Sequence, residues 1–174
     1  MDQPRPTADR PSFVYVTYIR TNPERLWQML TDPAFTEQWW QTTFETDWAV
    51  GSLMTWHTQG FTIADPDQVV LEYDPPRRLA YTWNTMTPEL AHHFGFTDQF
   101  IDELVAEPRS RVAFDIQDLG DDLGDDDLGH RVKLTVVHDG FLPGGRAVEL
   151  VSDGWPQLLS SVKSLLETGQ LLFS

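Results

Sequence analysis

Five histidines, a dense run of aspartates and a large supply of indole and phenyl rings are the residues of this chain with chemistry to offer. His92 and His93 are adjacent, and neighbours on a helix point about 100° apart. The pair cannot close on one ion, and no third histidine or carboxylate stands at a matching ligand spacing. His57 and His138 fall on or at the end of candidate strands, where either could act as acid or base if it faced a cavity. The acidic run at 118–129 invites calcium, a hard cation that collects several carboxylate and carbonyl oxygens from one short segment. Counted from Asp118, however, the sixth residue is Leu123 rather than glycine and the twelfth is Gly129 rather than glutamate, so the EF-hand register fails. A solvated, charge-repelling loop is the expectation there. With no cysteine, a thiolate metal site, a thiol nucleophile and a disulfide framework are all excluded. Neither a phosphate-cradling glycine loop nor a Gly-x-Ser-x-Gly elbow occurs. No metal or cofactor is expected, and no catalytic residue is singled out.

The rings carry the stronger signal. Trp40, Trp56, Trp83, Phe94, Phe96, Phe100 and Phe141 are more than a thin sheet-on-helix core needs. Plain core packing would absorb some of them. The alternative is a concave apolar pocket with a few polar groups, the usual form of a small-molecule site. Trp40, Trp56, Trp83, Phe94, Phe96, Phe100 and Leu158 are the candidate ligand-binding residues.

The elements that must position these rings follow from periodicity. In the segment 154–169, Trp155, Leu158, Leu159, Val162, Leu165 and Leu166 recur at steps of three and four, which makes one stripe of an amphipathic helix ending near Gly169. Gly154 and Pro156 predict a start or a kink near them, and Leu158, Val162 and Leu165 are expected to be buried. At the other end, residues 13–20 form a β-branched and aromatic run, read as a first strand. Thr21 or Asn22 then caps a short helix that opens on Pro23 and Glu24, and Asp32-Pro33 restarts a second.

From Thr43 the period changes to two. Residues 43–48, 52–58, 68–73 and 78–84 are candidate strands of an antiparallel meander, with Val69, Leu71 and Tyr73 on one face of the third and Leu79, Tyr81 and Trp83 on one face of the fourth. The segment 85–108 interrupts this rhythm as an insertion carrying a short helix near 98–106. Residues 111–117 and 131–138 resume clean alternation as a hairpin, whose acidic connection 118–129 is too charged and glycine-rich to be ordered by packing.

At 174 residues the chain fits one domain, 13–174, preceded by a loose polar tail, 1–12. Twelve Lys+Arg against 27 Asp+Glu give a formal charge of −15, which repels nucleic acid and anionic membrane surfaces. No nucleic-acid partner and no membrane insertion are expected. No apolar run reads as a signal peptide or transmembrane stretch, so the expected location is cytoplasmic.

The order of strand, two short helices, antiparallel strands and long C-terminal helix resembles the helix-grip fold of the START-like (SRPBCC) superfamily. Within it, the strings Asn22-Pro23-Glu24-Arg25-Leu26-Trp27, Leu30-Thr31-Asp32-Pro33, Gln38-Trp39-Trp40, Asp74-Pro75-Pro76-Arg77-Arg78-Leu79-Ala80-Tyr81-Thr82-Trp83 and the stretch from Gly154-Trp155 to Glu167 resemble the family of the activator of Hsp90 ATPase C-terminal domain, in its bacterial single-domain form. The resemblance implies an α+β fold, an antiparallel sheet curled around the last helix, with a cavity between them walled by Trp83 and the Trp155 helix. It carries over no catalytic residue. The function it implies is binding of a small apolar or amphipathic molecule, with the segment 94–105 as a lid. A chaperone-associated interaction module is the alternative, and a cyclase- or hydrolase-like enzyme the third reading. A homodimer and a chaperone partner both remain open.

Overall fold

The computed structural model describes residues 10–120 and 129–173. The first nine residues of the expected tail and residues 121–128 of the expected acidic loop lie outside the described residues. Strand β1 (Phe13–Ile19) leads into α1 (Pro23–Thr31) and α2 (Pro33–Trp40). The Asn22 side chain accepts from Arg25 N at 2.8 Å, and Asp32 ends α1 while its carboxylate accepts from Ala34 N at 2.9 Å to begin α2. One residue therefore both stops and starts a helix, which sets α2 at an angle fixed by the Asp32 backbone.

Strands β2 (Thr42–Glu45), β3 (Thr55–Thr58) and β4 (Phe61–Ile63) make a three-stranded antiparallel sheet. Strands β5 (Val70–Asp74), β6 (Arg78–Thr82), β7 (Arg111–Gly120) and β8 (Arg131–Asp139) join β1 in a five-stranded sheet of order β1-β8-β7-β6-β5. The seam between the sheets is the isolated bridge Leu53↔Val69, flanked by Met54 N to Gln68 O at 2.7 Å and Val70 N to Ser52 O at 3.0 Å. Buried Gln68 reinforces it: its Nε2 donates to Met54 O (2.9 Å) and Ile63 O (3.0 Å), and its Oε1 accepts from Thr85 N (2.9 Å). Between β6 and β7 lie α3 (Pro88–His93) and α4 (Asp98–Val105), and the chain closes on α5 (Arg146–Thr168). The fold is α+β and helix-grip: the curled antiparallel sheet packs its inward side chains, Leu79, Tyr81, Val112, Phe114, Val132, Leu134 and Val136 among them, against Trp155, Leu159 and Val162 of α5. Among the described residues, no helix is long and apolar enough to cross a membrane.

Three local expectations need correction. The stretch between the candidate strands 52–58 and 68–73 carries a strand of its own, β4; it forms because Gln59 (φ 52°) and Gly60 (φ 83°) both take the left-handed conformation of a two-residue hairpin turn, which a Gln-Gly pair signals weakly. In β5 the inward residues are Val70, opposite Tyr81, and Tyr73, opposite Leu79, rather than the expected set Val69, Leu71 and Tyr73, because a bulge between Val70 and Glu72 moves the pairing by one residue and so exchanges the faces along the strand. Helix α5 neither starts nor breaks at Gly154 and Pro156 but runs unbroken for 23 residues.

A proline inside a helix costs on the order of 3 kcal/mol, so something must offset it. The buried line Val151, Trp155, Leu159 and Val162 supplies one contribution. The other is the cap. Gly145 has no side chain to cap with, and the Glu107 carboxylate takes that place, accepting from Arg146 N and, at 3.3 Å, from Ala147 N. A Cβ at Gly145 would lie 2.5 Å from Glu107 Oε2, so only glycine lets the carboxylate come this close. The buried line also shows that Leu158 and Leu165 are half-buried where full burial was expected; Leu159 faces inward instead.

Candidate ligand cleft

Four indoles from four elements meet beside the seam. Trp40 ends α2, Trp56 lies on β3, Trp83 follows β6, and Trp155 comes from α5. Gln41, in the left-handed conformation (φ 53°), turns the chain sharply after Trp40 into β2. Trp83 is held through its backbone: its N–H donates to Ser110 O at 2.9 Å, and its carbonyl accepts from Arg109 Nη1 at 2.7 Å. Arg109 also donates to Thr85 Oγ1 (2.9 Å) and pairs with Asp65 (3.1 Å), so the wall from Trp83 to Thr85 is tied to the loop after β4. The hydrogen bond from Asp67 N and that from Thr85, together with Arg109, hold the Asp65 carboxyl below its usual range. Trp40 lies 5.6 Å from Trp56, 5.8 Å from Trp83 and 5.5 Å from Trp155 between ring centroids, and Trp83 lies 5.1 Å from Trp56 and 5.6 Å from Trp155, all tilted or edge-on. Such geometries add about 0.5–1.5 kcal/mol per pair beyond area burial.

These rings form one side of a cleft of about 460 Å³. Leu90, Phe94 and Phe96, from α3 and the turn after it, and Gly154 and Leu158 of α5 complete it, with Thr42, Thr58, Gln59 and Asn84 as the polar lining. Among the described residues, no charged side chain lines it. Gly154 contributes by what it lacks, since a Cβ there would meet no atom within 4 Å. The mid-helix glycine that lowers helix propensity by about 1 kcal/mol leaves space in the cleft.

Beneath the indoles sits a buried polar chain. Trp155 Nε1 donates to His138 Nδ1 at 3.0 Å, and His138 Nε2 lies 2.8 Å from Ser110 Oγ. An indole N–H can only donate, so Nδ1 must be the bare nitrogen and Nε2 carries the hydrogen. His138 is fully buried, which pushes its pKa down to about 3, partly countered by the Asp139 carboxylate. It is neutral, its basic nitrogen is occupied, and its Nε2 faces Ser110 as a donor, so it cannot accept the Ser110 proton as a general base would. His57 does not line the cleft either: it is half-exposed, 3.1 Å from Thr62 Oγ1 and 3.4 Å from Glu45 Oε2.

Of the seven residues singled out from sequence, the structure brings six to the cleft: Trp40, Trp56, Trp83, Phe94, Phe96 and Leu158. Phe100 is not among them. It lies on α4 behind Phe96, at 4.8 Å, under the Arg146 guanidinium at 5.6 Å. Gly154, Gln68, Arg109 and Ser110 were not found by sequence reasoning. Gly154 read only as a helix breaker, and the other three are polar residues most of whose partners lie more than ten positions away. No local pattern announces them.

An antiparallel sheet gripping a long C-terminal helix, with an aromatic cleft between them, defines a START-like protein. The chain belongs to the family of Activator of Hsp90 ATPase homolog 1-like proteins, whose model matches residues 20–167. Among solved structures it is similar to protein MLL2253 from Mesorhizobium loti, at 26% identity over 92% of this chain and 100% of that one, with a TM-score of 0.64. The Aha1 dimer from Colwellia psychrerythraea shares the fold at 16% identity, covering 91% of this chain and 98% of that one, with a TM-score of 0.58. So does PFC0360w, an HSP90 activator from Plasmodium falciparum, at 16% identity over 89% and 95% of the two chains and a TM-score of 0.59. None of the curated proteins compared matches the chain.

Proposed function

We propose that this protein binds an uncharged small hydrophobic or amphipathic molecule in the cleft between the three-stranded sheet, Trp83 and α5, with residues 94–105 as its lid. The observation that carries this reading is a cleft walled by four indoles and two phenyl rings and, among the described residues, without one charged lining residue. Transfer of apolar surface into such a space supplies about 25 cal/mol per Å². A fatty acid or other anion would find no cation in the lining and a net charge of −15 around it. The lid is assigned from Phe94 and Phe96, which stand in the turn between α3 and α4 with Phe94 half-exposed.

The test uses an apolar probe such as tetralin and a variant that fills the cleft, Gly154→Leu. The parent should melt at a higher temperature as tetralin is added, its stability growing as the logarithm of the concentration and reaching about 2.7 kcal/mol at a hundred times Kd. The variant, whose helix propensity improves, should fold and show no response. A parent that ignores the probe, or a variant that responds as strongly, would overturn the reading. Native mass spectrometry of protein purified from its natural source should show a retained neutral ligand.

A second reading, a protein-interaction module of the chaperone-associated kind, has one observation in its favour. The edge strand β1 turns Val14, Val16 and Tyr18 outward, each close to half exposed or more. Stimulation of an Hsp90 ATPase that Val16→Lys abolishes would support it.

A further inference from the structure

The hydrogens of the buried polar chain run in one direction, and that direction decides what Ser110 offers. Trp155 donates to His138, so His138 donates to Ser110 Oγ. The reverse tautomer would set two N–H groups facing each other across 3.0 Å. Ser110 has therefore spent an acceptor site on His138 and keeps its own O–H to give. Among the described residues no acceptor for that hydrogen is found. Ser110 is 6% exposed, and its open side lies on an annexe of about 160 Å³ that shares Trp83, Asn84, Met86, Leu150 and Val151 with the main cleft. The charges beside this annexe are already satisfied. Arg109 is held by Asp65, Thr85 and the Trp83 carbonyl, and Glu107 by the first amides of α5. On the cleft wall a second donor, Trp56 Nε1, is buried without a partner among the described residues, and Trp56 itself is 2% exposed. Both of these groups are donors.

Resting on the proposed function, we infer that the ligand is a neutral carbonyl compound, a ketone, ester or lactone, whose oxygen accepts the Ser110 hydroxyl hydrogen. A hydrocarbon would leave that hydrogen unpaired. An ammonium would meet it with a further donor, and a carboxylate would find Arg109 already paired with Asp65.

The test compares tetralin with 1-tetralone, the same skeleton with one carbonyl added, by calorimetric titration of the parent and of Ser110→Ala. Ser110→Ala should weaken 1-tetralone about three- to tenfold, the range of one neutral hydrogen bond, and change tetralin less than twofold. Loss of both probes alike in the folded variant, or of neither, overturns the inference and leaves the proposed function standing on the tetralin response of the parent. Failure of both probes to bind the parent overturns the proposed function, and the carbonyl inference falls with it. Because Ser110→Ala also strips His138 of its acceptor, a second measurement needs no variant. In ¹⁵N spectra of the parent at neutral pH, the His138 ring should show a protonated Nε2 and a bare Nδ1. A protonated Nδ1 would reverse the chain of hydrogens and end the inference.

Discussion

Replacing His138 by glutamine should flatten the acid limb of the stability curve. In the native protein the imidazole is fully buried between Trp155 and Ser110 and titrates at about 3, while in the unfolded chain it titrates near 6.5. Between these values the unfolded state holds one proton more than the native state, so stability falls as pH drops below 6.5. The slope is about 1.4 kcal/mol per pH unit, which at pH 4.5 amounts to about 2.7 kcal/mol, whatever the native value is so long as it lies well below 4.5. Glutamine can accept from Trp155 and donate to Ser110 without titrating. Urea unfolding of both proteins at pH 7.5 and 4.5 yields the double difference, from which carboxylates common to both cancel. The parent should lose about 2–3 kcal/mol more than the variant over that interval. Equal losses would mean that His138 takes up its proton in the native state, and the neutral Trp155–His138–Ser110 chain would be wrong.

Three further substitutions probe what holds the cleft together. Val162→Asp places an unpaired charge at a fully buried position of α5 and should abolish folding, seen as loss of near-ultraviolet dichroism; a soluble variant with the parent's melting temperature would contradict the packing. Gln68→Leu leaves Met54 O, Ile63 O and Thr85 N without their partner across the seam and should cost about 2–4 kcal/mol in urea unfolding, against near zero if the seam is not structural. Glu107→Gln weakens the borrowed cap of α5 and should cost about 1 kcal/mol, with the loss shrinking in high salt because part of it is charge against the helix dipole.

How far the sequence speaks for itself depends on how local the deciding interaction is. The alternation Val112, Phe114, Ile116 and Val132, Leu134, Val136 names both strands of the β7–β8 hairpin and their inward faces, because a period of two is written in consecutive residues. Asn22-Pro23 and Asp32-Pro33 announce α1 and α2 for the same reason: cap, proline and first turn are neighbours. The rings of the cleft were legible as a surplus, and six of the seven chosen residues meet there. Phe100 failed because helical spacing cannot say which face of α4 turns to the cleft and which to Arg146. Pro156 misled because its local cost is readable, whereas the cap from Glu107, 39 residues before Arg146, is not. The β5 bulge is of the same kind, and so are Gln68, Arg109 and Ser110, whose meaning lies entirely in distant partners.

The claim on which the account turns is that the four-indole cleft receives a ligand, and the seven tryptophans make it directly measurable. In ¹⁵N-correlated spectra each indole N–H resolves as its own resonance, assignable by single Trp→Phe replacements. Titration with 1-tetralone should move the Trp40, Trp56, Trp83 and Trp155 signals along one saturable curve. It should leave Trp27 and Trp48, which pack on Tyr73 away from the cleft lining, where they were. Shifts confined to Trp27 and Trp48, or no saturable shift at any of the four, would contradict it.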